Sequence, residues 1–290
     1  MPTFKVTLAY DGTEFVGWQR QASGESVQGV LEDAARQFDD RDVAVVGAGR
    51  TDAGVHALGQ VAVFTLENPI DAKTLVRALN AKLPETVRVL SACEVPAAFN
   101  PRYDARAKTY RYRIWNDPVP SPFERRYAWH VPAPLDAAAM DAAARRLEGR
   151  HDFAAFQAAG SDVETTERTI VSSGVVTLSS SQLSTTEDTA DTEGGTSPIA
   201  DRAIADRRLP VPRVLRRGDS LIRGGELIAY EVTGDGFLRH MVRAVVGTLV
   251  EIGRGRRPVE WIDEVIASHD RAAAGPTVPA AGLFLVRVDF

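Results

Sequence analysis

Three glycines in eight residues, Gly47-Ala48-Gly49-Arg50-Thr51-Asp52-Ala53-Gly54, separate two apolar runs with strand character, Val43 to Val46 and Val61 to Leu66. Backbone of this composition either turns sharply or lets another group approach closely. One strand must therefore end at this loop and another begin beyond it. Arg50 and Asp52, two positions apart, set a guanidinium fork beside a carboxylate. In a half-buried loop such a pairing keeps the carboxylate ionised and therefore nucleophilic. The commoner reading of a short string like this is a turn with a surface Asp and a surface Arg, and local chemistry alone does not displace it.

The elements around the loop follow from period and punctuation. Phe4, Val6, Leu8 and Tyr10 alternate with Lys5, Thr7 and Ala9, which predicts a half-buried strand. Asp11-Gly12-Thr13 turns out of it, and Ser26 offers an N-cap to a helix with Val27, Val30, Leu31, Ala34, Ala35 and Phe38 on one side. Beyond the loop, Asp71 caps a second helix through Leu75, Val76, Leu79 and Asn80, and Val87 to Leu90 reads as a strand. The run from Phe4 to Leu90 is thus strand, helix, strand, loop, strand, helix, strand: a split β-α-β arrangement with helices on one face.

The next segment is basic, with Arg102, Arg106, Lys108, Arg111 and Arg113 against Asp104. Lys108 to Ile114 alternates as a strand, placing Tyr110 and Tyr112 on one face and Arg111 and Arg113 on the other. Aromatics interleaved with arginines suit single-stranded RNA, whose bases stack on rings while its phosphates meet cations. A tyrosine-rich sheet surface with solvated arginines accounts for the same residues equally well.

Asp136 then caps an alanine-rich helix, Ala137 to Glu148, stopped by Gly149. His151 reads as a structural histidine. Arg168 to Ile170 and Val175 to Leu178 read as strand. From 182 to 223 the pattern gives way to Ser, Thr, Gly, Asp and Pro, acidic in its first half and arginine-rich in its second. This predicts a flexible, self-neutralising insertion between two strands. Glu226 to Thr233 resumes as strand. A helix over Phe237 to Gly253 has a wide apolar face with Arg243 beside it, and Gly247 one turn on leaves room there for another backbone or a ligand. Pro258 starts a last helix, and Gly282 to Val288 closes the chain as a strand.

Read whole, Ala48-Gly49-Arg50-Thr51-Asp52-Ala53-Gly54-Val55-His56-Ala57 resembles the active-site signature of the TruA-type tRNA pseudouridine synthases. Further strings match the same family: Tyr10-Asp11-Gly12 with Phe15, Gly17-Trp18-Gln19 and Ser26-Val27-Gln28; Phe99, Arg102, Ala105 and Lys108 to Tyr112; and Gly236 to Arg243 with Val246 to Leu249. Asn100-Pro101 departs from the pattern, in which a His or Asp and then Ala commonly precede the Arg.

The resemblance implies an α/β (α+β) pseudouridine synthase fold. Two similar split β-α-β domains, 1–105 and 106–290, would share one mixed, mainly antiparallel sheet with helices outside. It implies Asp52 as the catalytic nucleophile and Arg243 as its ion-pair partner. Tyr110 would stack on the target uracil, Arg50 would help fill the vacated place and contact the RNA, and Leu283 would support the base. The family is a homodimer that converts uridine to pseudouridine at positions 38, 39 and 40 of the tRNA anticodon stem-loop, without metal or organic cofactor.

Composition narrows the remaining classes. No apolar run approaches the roughly 18 residues that span a bilayer, and Met1 to Lys5 lacks the pattern of a signal peptide, so a cytoplasmic protein is expected. Cys93 is the one cysteine, and the five histidines do not pair at ligand spacing, so no metal centre is expected. A net charge of −5 is unusual for a nucleic-acid binder and requires any basic face to be segregated. Two rivals share these features: a non-catalytic RNA-binding module, and a glycosidase using Asp52 as nucleophile. A second carboxylate would favour the glycosidase, and Asp11 is the candidate for it.

Overall fold

The computed structural model describes residues 1–39, 42–158, 160, 163–178 and 225–290. The segment expected as an insertion, 182–223, lies outside them. One ten-stranded sheet runs through the molecule, and antiparallel neighbours predominate.

The same connectivity occurs twice. In the first half the chain runs β1 (Thr3–Tyr10), α1 (Val27–Arg36), β2 (Val46–Gly47), β3 (His56–Thr65), α2 (Ala72–Lys82) and β4 (Val87–Val95). These strands lie side by side in the order β4-β1-β3, with β2 on β3. The second half contributes β5 (Ala107–Asn116), the short β6 (Trp129–Val131), α3 (Ala137–Arg145), β7 (Gly149–Asp152), β8 (Glu167–Leu178), β9 (Glu226–Gly234), α4 (Met241–Gly253), α5 (Trp261–Ser268) and β10 (Leu283–Asp289). Its strands lie β10-β5-β9-β8-β7, with β6 on β5. α1 touches α2, and α3 touches α4, so each half carries a helix pair on its sheet.

The shortness of β2 joins the halves. It pairs β3 only at Val63 and Ala62, which leaves the start of β3 free. There β10 pairs in parallel, Phe284 with His56 and Leu285 with Ala57. On its other side β10 pairs antiparallel with β5, Leu283 with Tyr112 and Leu285 with Tyr110. The last strand of the chain is thus the seam of the sheet, and it lies beside the end of the signature loop.

Four boundaries differ from the sequence expectation. Val43 to Val45 is not a strand, because side chains of α1 satisfy its backbone: Gln28 Nε2 donates to the Val45 carbonyl (2.9 Å) and Glu32 Oε1 accepts from the Val45 amide (3.3 Å). α3 ends at Arg145 rather than Glu148, whose carboxylate accepts from the Ser173 amide of β8 (3.0 Å). Asp141 does the same for Val175 (2.8 Å), so α3 covers backbone donors that an open strand edge would expose. α4 begins at Met241 because His240 has left-handed backbone, and α5 begins at Trp261, after a turn at Pro258.

The caps and apolar faces otherwise form as their residues predict. Ser26 accepts from the Gly29 amide, Asp71 from Lys73 and Thr74, and Asp136 from Ala139. Phe4, Val6, Leu8 and Tyr10 of β1 are buried, as are Tyr110, Tyr112 and Ile114 of β5.

Candidate active site

The loop after β2 is built against the turn that leaves β1. The Trp18 amide donates to the Thr51 carbonyl (3.0 Å), and the Gly54 amide to the Phe15 carbonyl (3.4 Å). Tyr10 and Thr51 share a hydroxyl hydrogen bond (2.7 Å). Burial, only partly opposed by that bond, raises the Tyr10 pKa to about 12, so the phenol is neutral. Gly12 is a contact requirement: a Cβ there would lie 1.9 Å from the Val55 carbonyl oxygen. Gly47 makes room for the Trp18 ring, which is buried beneath the loop. Gly54 has φ +76° and allows the turn that the Val55 amide closes on the Asp52 carbonyl (3.1 Å). These contacts fix the backbone on both sides of Asp52.

The Asp52 side chain is half-buried and meets residues from the far end of the chain. Arg243 Nη1 lies 3.5 Å from Asp52 Oδ2, and His240 Nε2 lies 3.3 Å from the same oxygen. Arg243 is aimed by its own backbone neighbourhood: Nε donates to the Val278 carbonyl (2.7 Å), and the Val278 amide donates to the Arg243 carbonyl (3.4 Å). The segment carrying Val278 presses on α4 at Gly247, where a Cβ would fall 1.8 Å from the Pro276 carbonyl oxygen. The space expected beside Arg243 is filled by backbone.

Tyr110 is buried, with its ring edge-on to Phe237 (centroids 5.0 Å apart). Burial first, and then the nearby Tyr10 and Asp52, raise its hydroxyl pKa well above the ordinary range. Among the described residues that hydroxyl has no hydrogen-bond partner. Leu283, also buried, opens β10 opposite Tyr112. Arg50 is exposed, and no hydrogen bond or ion pair among the described residues holds it. The Arg50–Asp52 pairing that their spacing suggested does not form, and Arg243 and His240 take that place beside the carboxylate.

The basic stretch divides. Arg111 pairs with Glu231 across the sheet (2.6 Å), and Arg113 with Glu124 (2.7 Å). Lys108 has no carboxylate partner among the described residues, and its ammonium lies beside Gly49 of the signature loop. Burial, and then the charge of Arg102, lower its pKa. His56 sits behind the loop: Nδ1 meets the Gly12 amide (3.1 Å), and Nε2 reaches the carbonyls of Arg126 (3.0 Å) and Ala281 (3.1 Å). Its ring stacks on Phe284. Asp11 is committed to Thr13, Tyr127 and His56. Sequence reasoning singled out neither His56 nor His240 for a role, since a lone histidine carries no spacing signal. Lys108 was visible as one member of a basic run and of a family-matching string, with no role of its own.

A family model described as tRNA pseudouridine synthase matches residues 7–104 and 143–290. The chain belongs to the tRNA pseudouridine synthase family. Asp52, Arg243 and Leu283 fall within the matched ranges, and Tyr110 lies between them. The chain is 42% identical over 288 residues to a tRNA pseudouridine synthase A of Myxococcus xanthus, covering 99% of this chain and 92% of that relative. It is 41% identical to that of Moorella thermoacetica, with 100% of each chain covered. The similarity to the Methylobacterium nodulans relative is 42%, covering 100% of this chain and 96% of the relative. Membership of this family makes the chain an isomerase.

Proposed function

We propose that the protein isomerises uridine to pseudouridine at positions 38, 39 and 40 of the tRNA anticodon stem-loop, with Asp52 as the nucleophile. The observation that carries this reading is the half-buried Asp52 carboxylate, faced by Arg243 and His240. Family membership and the full-length relatives named tRNA pseudouridine synthase A support the substrate class.

The reaction breaks the N1–C1′ bond and joins C5 to C1′. C5 loses a proton and N1 gains one, so product and substrate are isomers and no electron is transferred. One carboxylate suffices to trap C1′ while the uracil turns. The target uridine must first leave its stack, at a cost of a few kcal/mol. Tyr110 then stacks on the uracil, Leu283 supports it, and the exposed Arg50 occupies the vacated place and contacts the RNA. The protein acts as a homodimer in the cytoplasm.

The commitment of Asp11 to Thr13, Tyr127 and His56 weakens the glycosidase reading, which asks for a second available carboxylate. The deciding experiment incubates unmodified tRNA transcripts bearing uridine at 38, 39 or 40 with the protein and maps pseudouridine by position. Product at those sites, absent with Asp52→Asn, is the expected result. Free uracil would indicate a glycosidase, and tight binding without any product would indicate an RNA-binding module.

A further inference from the structure

The basic run on β5 is divided by the two faces of the strand. Arg111 and Arg113 each meet a carboxylate, Glu231 at 2.6 Å and Glu124 at 2.7 Å. Lys108 belongs to the other face, two residues from Tyr110 and on the same side of the sheet as that ring. Its side chain is half-buried and runs past Gly49 of the signature loop: a Cβ there would lie 3.6 Å from Nζ and 4.0 Å from Cδ. Among the described residues the ammonium makes no hydrogen bond and no ion pair. The Gly49 carbonyl accepts instead from Gln60 Nε2 (2.9 Å).

The charged neighbour felt by Lys108 is another cation, Arg102. Arg102 is exposed, stands over the Tyr103 ring at 5.8 Å, and has no ion-pair partner among the described residues. Asp104, the acid of this run, accepts from the Asn100 amide (2.9 Å). Burial and a like charge both disfavour an ammonium, and holding one without a partner costs free energy that a seated anion would remove. The position of Lys108 narrows the class of anion. Gly49 lies three residues before Asp52, and Tyr110 lies two residues along the strand from Lys108. A nucleotide placed at Asp52 and Tyr110 carries a phosphate on each side of its ribose, close to this ammonium.

We propose that Lys108 is a substrate-binding residue whose ammonium pairs with a phosphodiester flanking the target uridine, with the exposed Arg102 adding to the attraction. This rests on the reading of Asp52 as the group that acts on that uridine. A phosphate contact is blind to base identity, so it contributes affinity and register rather than sequence choice. It holds the RNA backbone beside the signature loop while the base leaves its stack. It also gives a chain of net charge −5 a local cation at the place where that backbone passes.

The test uses the full-length protein and a tRNA transcript bearing one uridine among positions 38–40, with filter binding over a range of salt concentrations. Lys108→Met keeps a stem against Gly49 and removes the charge. It is expected to bind about tenfold more weakly, with the slope of log affinity against log salt reduced by about 1. Lys108→Arg is expected to stay within about threefold of the parent. Synthetic stem-loops then carry a methylphosphonate on the 5′ or the 3′ side of the target uridine. Each is matched to an RNA with an ordinary phosphate and the same 2′-O-methyl group before the linkage. Neutralising the contacted phosphate is expected to weaken the parent about tenfold and Lys108→Met less than about twofold, and the linkage that shows this identifies the phosphate. The comparison is a ratio within each protein, so a loss of folded protein common to all RNAs cancels. Unchanged affinity and slope in Lys108→Met would overturn the proposal, as would phosphate effects of equal size in parent and variant at both linkages. Pseudouridine mapping of the same transcript with the parent separates the two readings. Product without coupling removes only the role of Lys108; no product at 38–40 removes the reading of Asp52 and this proposal together.

Discussion

Arg243 Nη1 stands 3.5 Å from Asp52 Oδ2 while its own Nε is tied to the Val278 carbonyl at 2.7 Å. The guanidinium is thus aimed by backbone just ahead of the seam strand. Its planar fork donates to the carbonyl while facing the carboxylate, which an ammonium cannot do from the same place. Arg243→Lys keeps the charge and loses the aim. The expected outcome is a fall of about 100-fold in kcat, with transcript affinity changed by less than about threefold. Single-turnover kinetics and filter binding check it.

Tyr110 separates ring from hydroxyl. The ring packs edge-on against Phe237, and the hydroxyl has no partner among the described residues. Burial keeps that hydroxyl neutral, with its pKa pushed up. Tyr110→Phe is therefore expected to hold kcat/KM within about tenfold of the parent. Tyr110→Ala removes a stacking surface worth about 1–3 kcal/mol per base, which corresponds to roughly 5- to 150-fold. Steady-state kinetics on one transcript distinguish the two variants.

Gly247 sits where α4 meets the segment leading to β10. A methyl group there would lie 1.8 Å from the Pro276 carbonyl oxygen, with Pro276 C and N also within 3.2 Å, so backbone must move. Gly247→Ala is expected to destabilise the fold by about 2–4 kcal/mol. It should also slow the reaction at temperatures where the fold is intact, because the displaced segment carries the carbonyl that orients Arg243. Thermal denaturation and rates at low temperature measure the two effects separately.

His56 predicts the pH dependence of stability. Burial first, with a smaller contribution from Arg113, lowers its folded pKa below the ordinary 6.5, although Asp11 and two backbone carbonyls oppose this. Between the folded and unfolded values the unfolded chain binds more protons. The stability held by neutral His56 is therefore fully present above about pH 6.5 and is lost as pH falls towards the folded value. His240 is shifted in the same direction and adds to the slope. His56→Gln is expected to be less stable at pH 7.5 and to lose less further stability at pH 5.5 than the parent. Urea denaturation at the two pH values gives the comparison.

The legible parts of the sequence were those where a local rule has a local cause. Ser26, Asp71 and Asp136 cap helices because their side chains reach amides two or three residues away. The alternation of β1 and β5 buries the residues it marks. Val43 to Val45 misled, because an apolar run does not reveal whether a strand or the side chains of Gln28 and Glu32 will satisfy its backbone. The start of α4 was misplaced by four residues for a similar reason: nothing in Phe237 to His240 marks a histidine held in left-handed backbone.

Resemblance to a family identified the loop, and Gly47 and Gly54 within it explain themselves once Trp18 is seen packed on the first and the second is seen at φ +76° with its amide on the Phe15 carbonyl. By itself the sequence determined the elements, the apolar faces and the carboxylate on a glycine-rich turn, since each depends on residues close along the chain. Only the tertiary structure decided which side chains face Asp52. That depends on β10 taking the free start of β3, a pairing between strands more than 200 residues apart that brings Val278 and α4 up to the loop. Hydrophobic alternation encodes the strand; the partner it selects depends on which edge the rest of the fold leaves open.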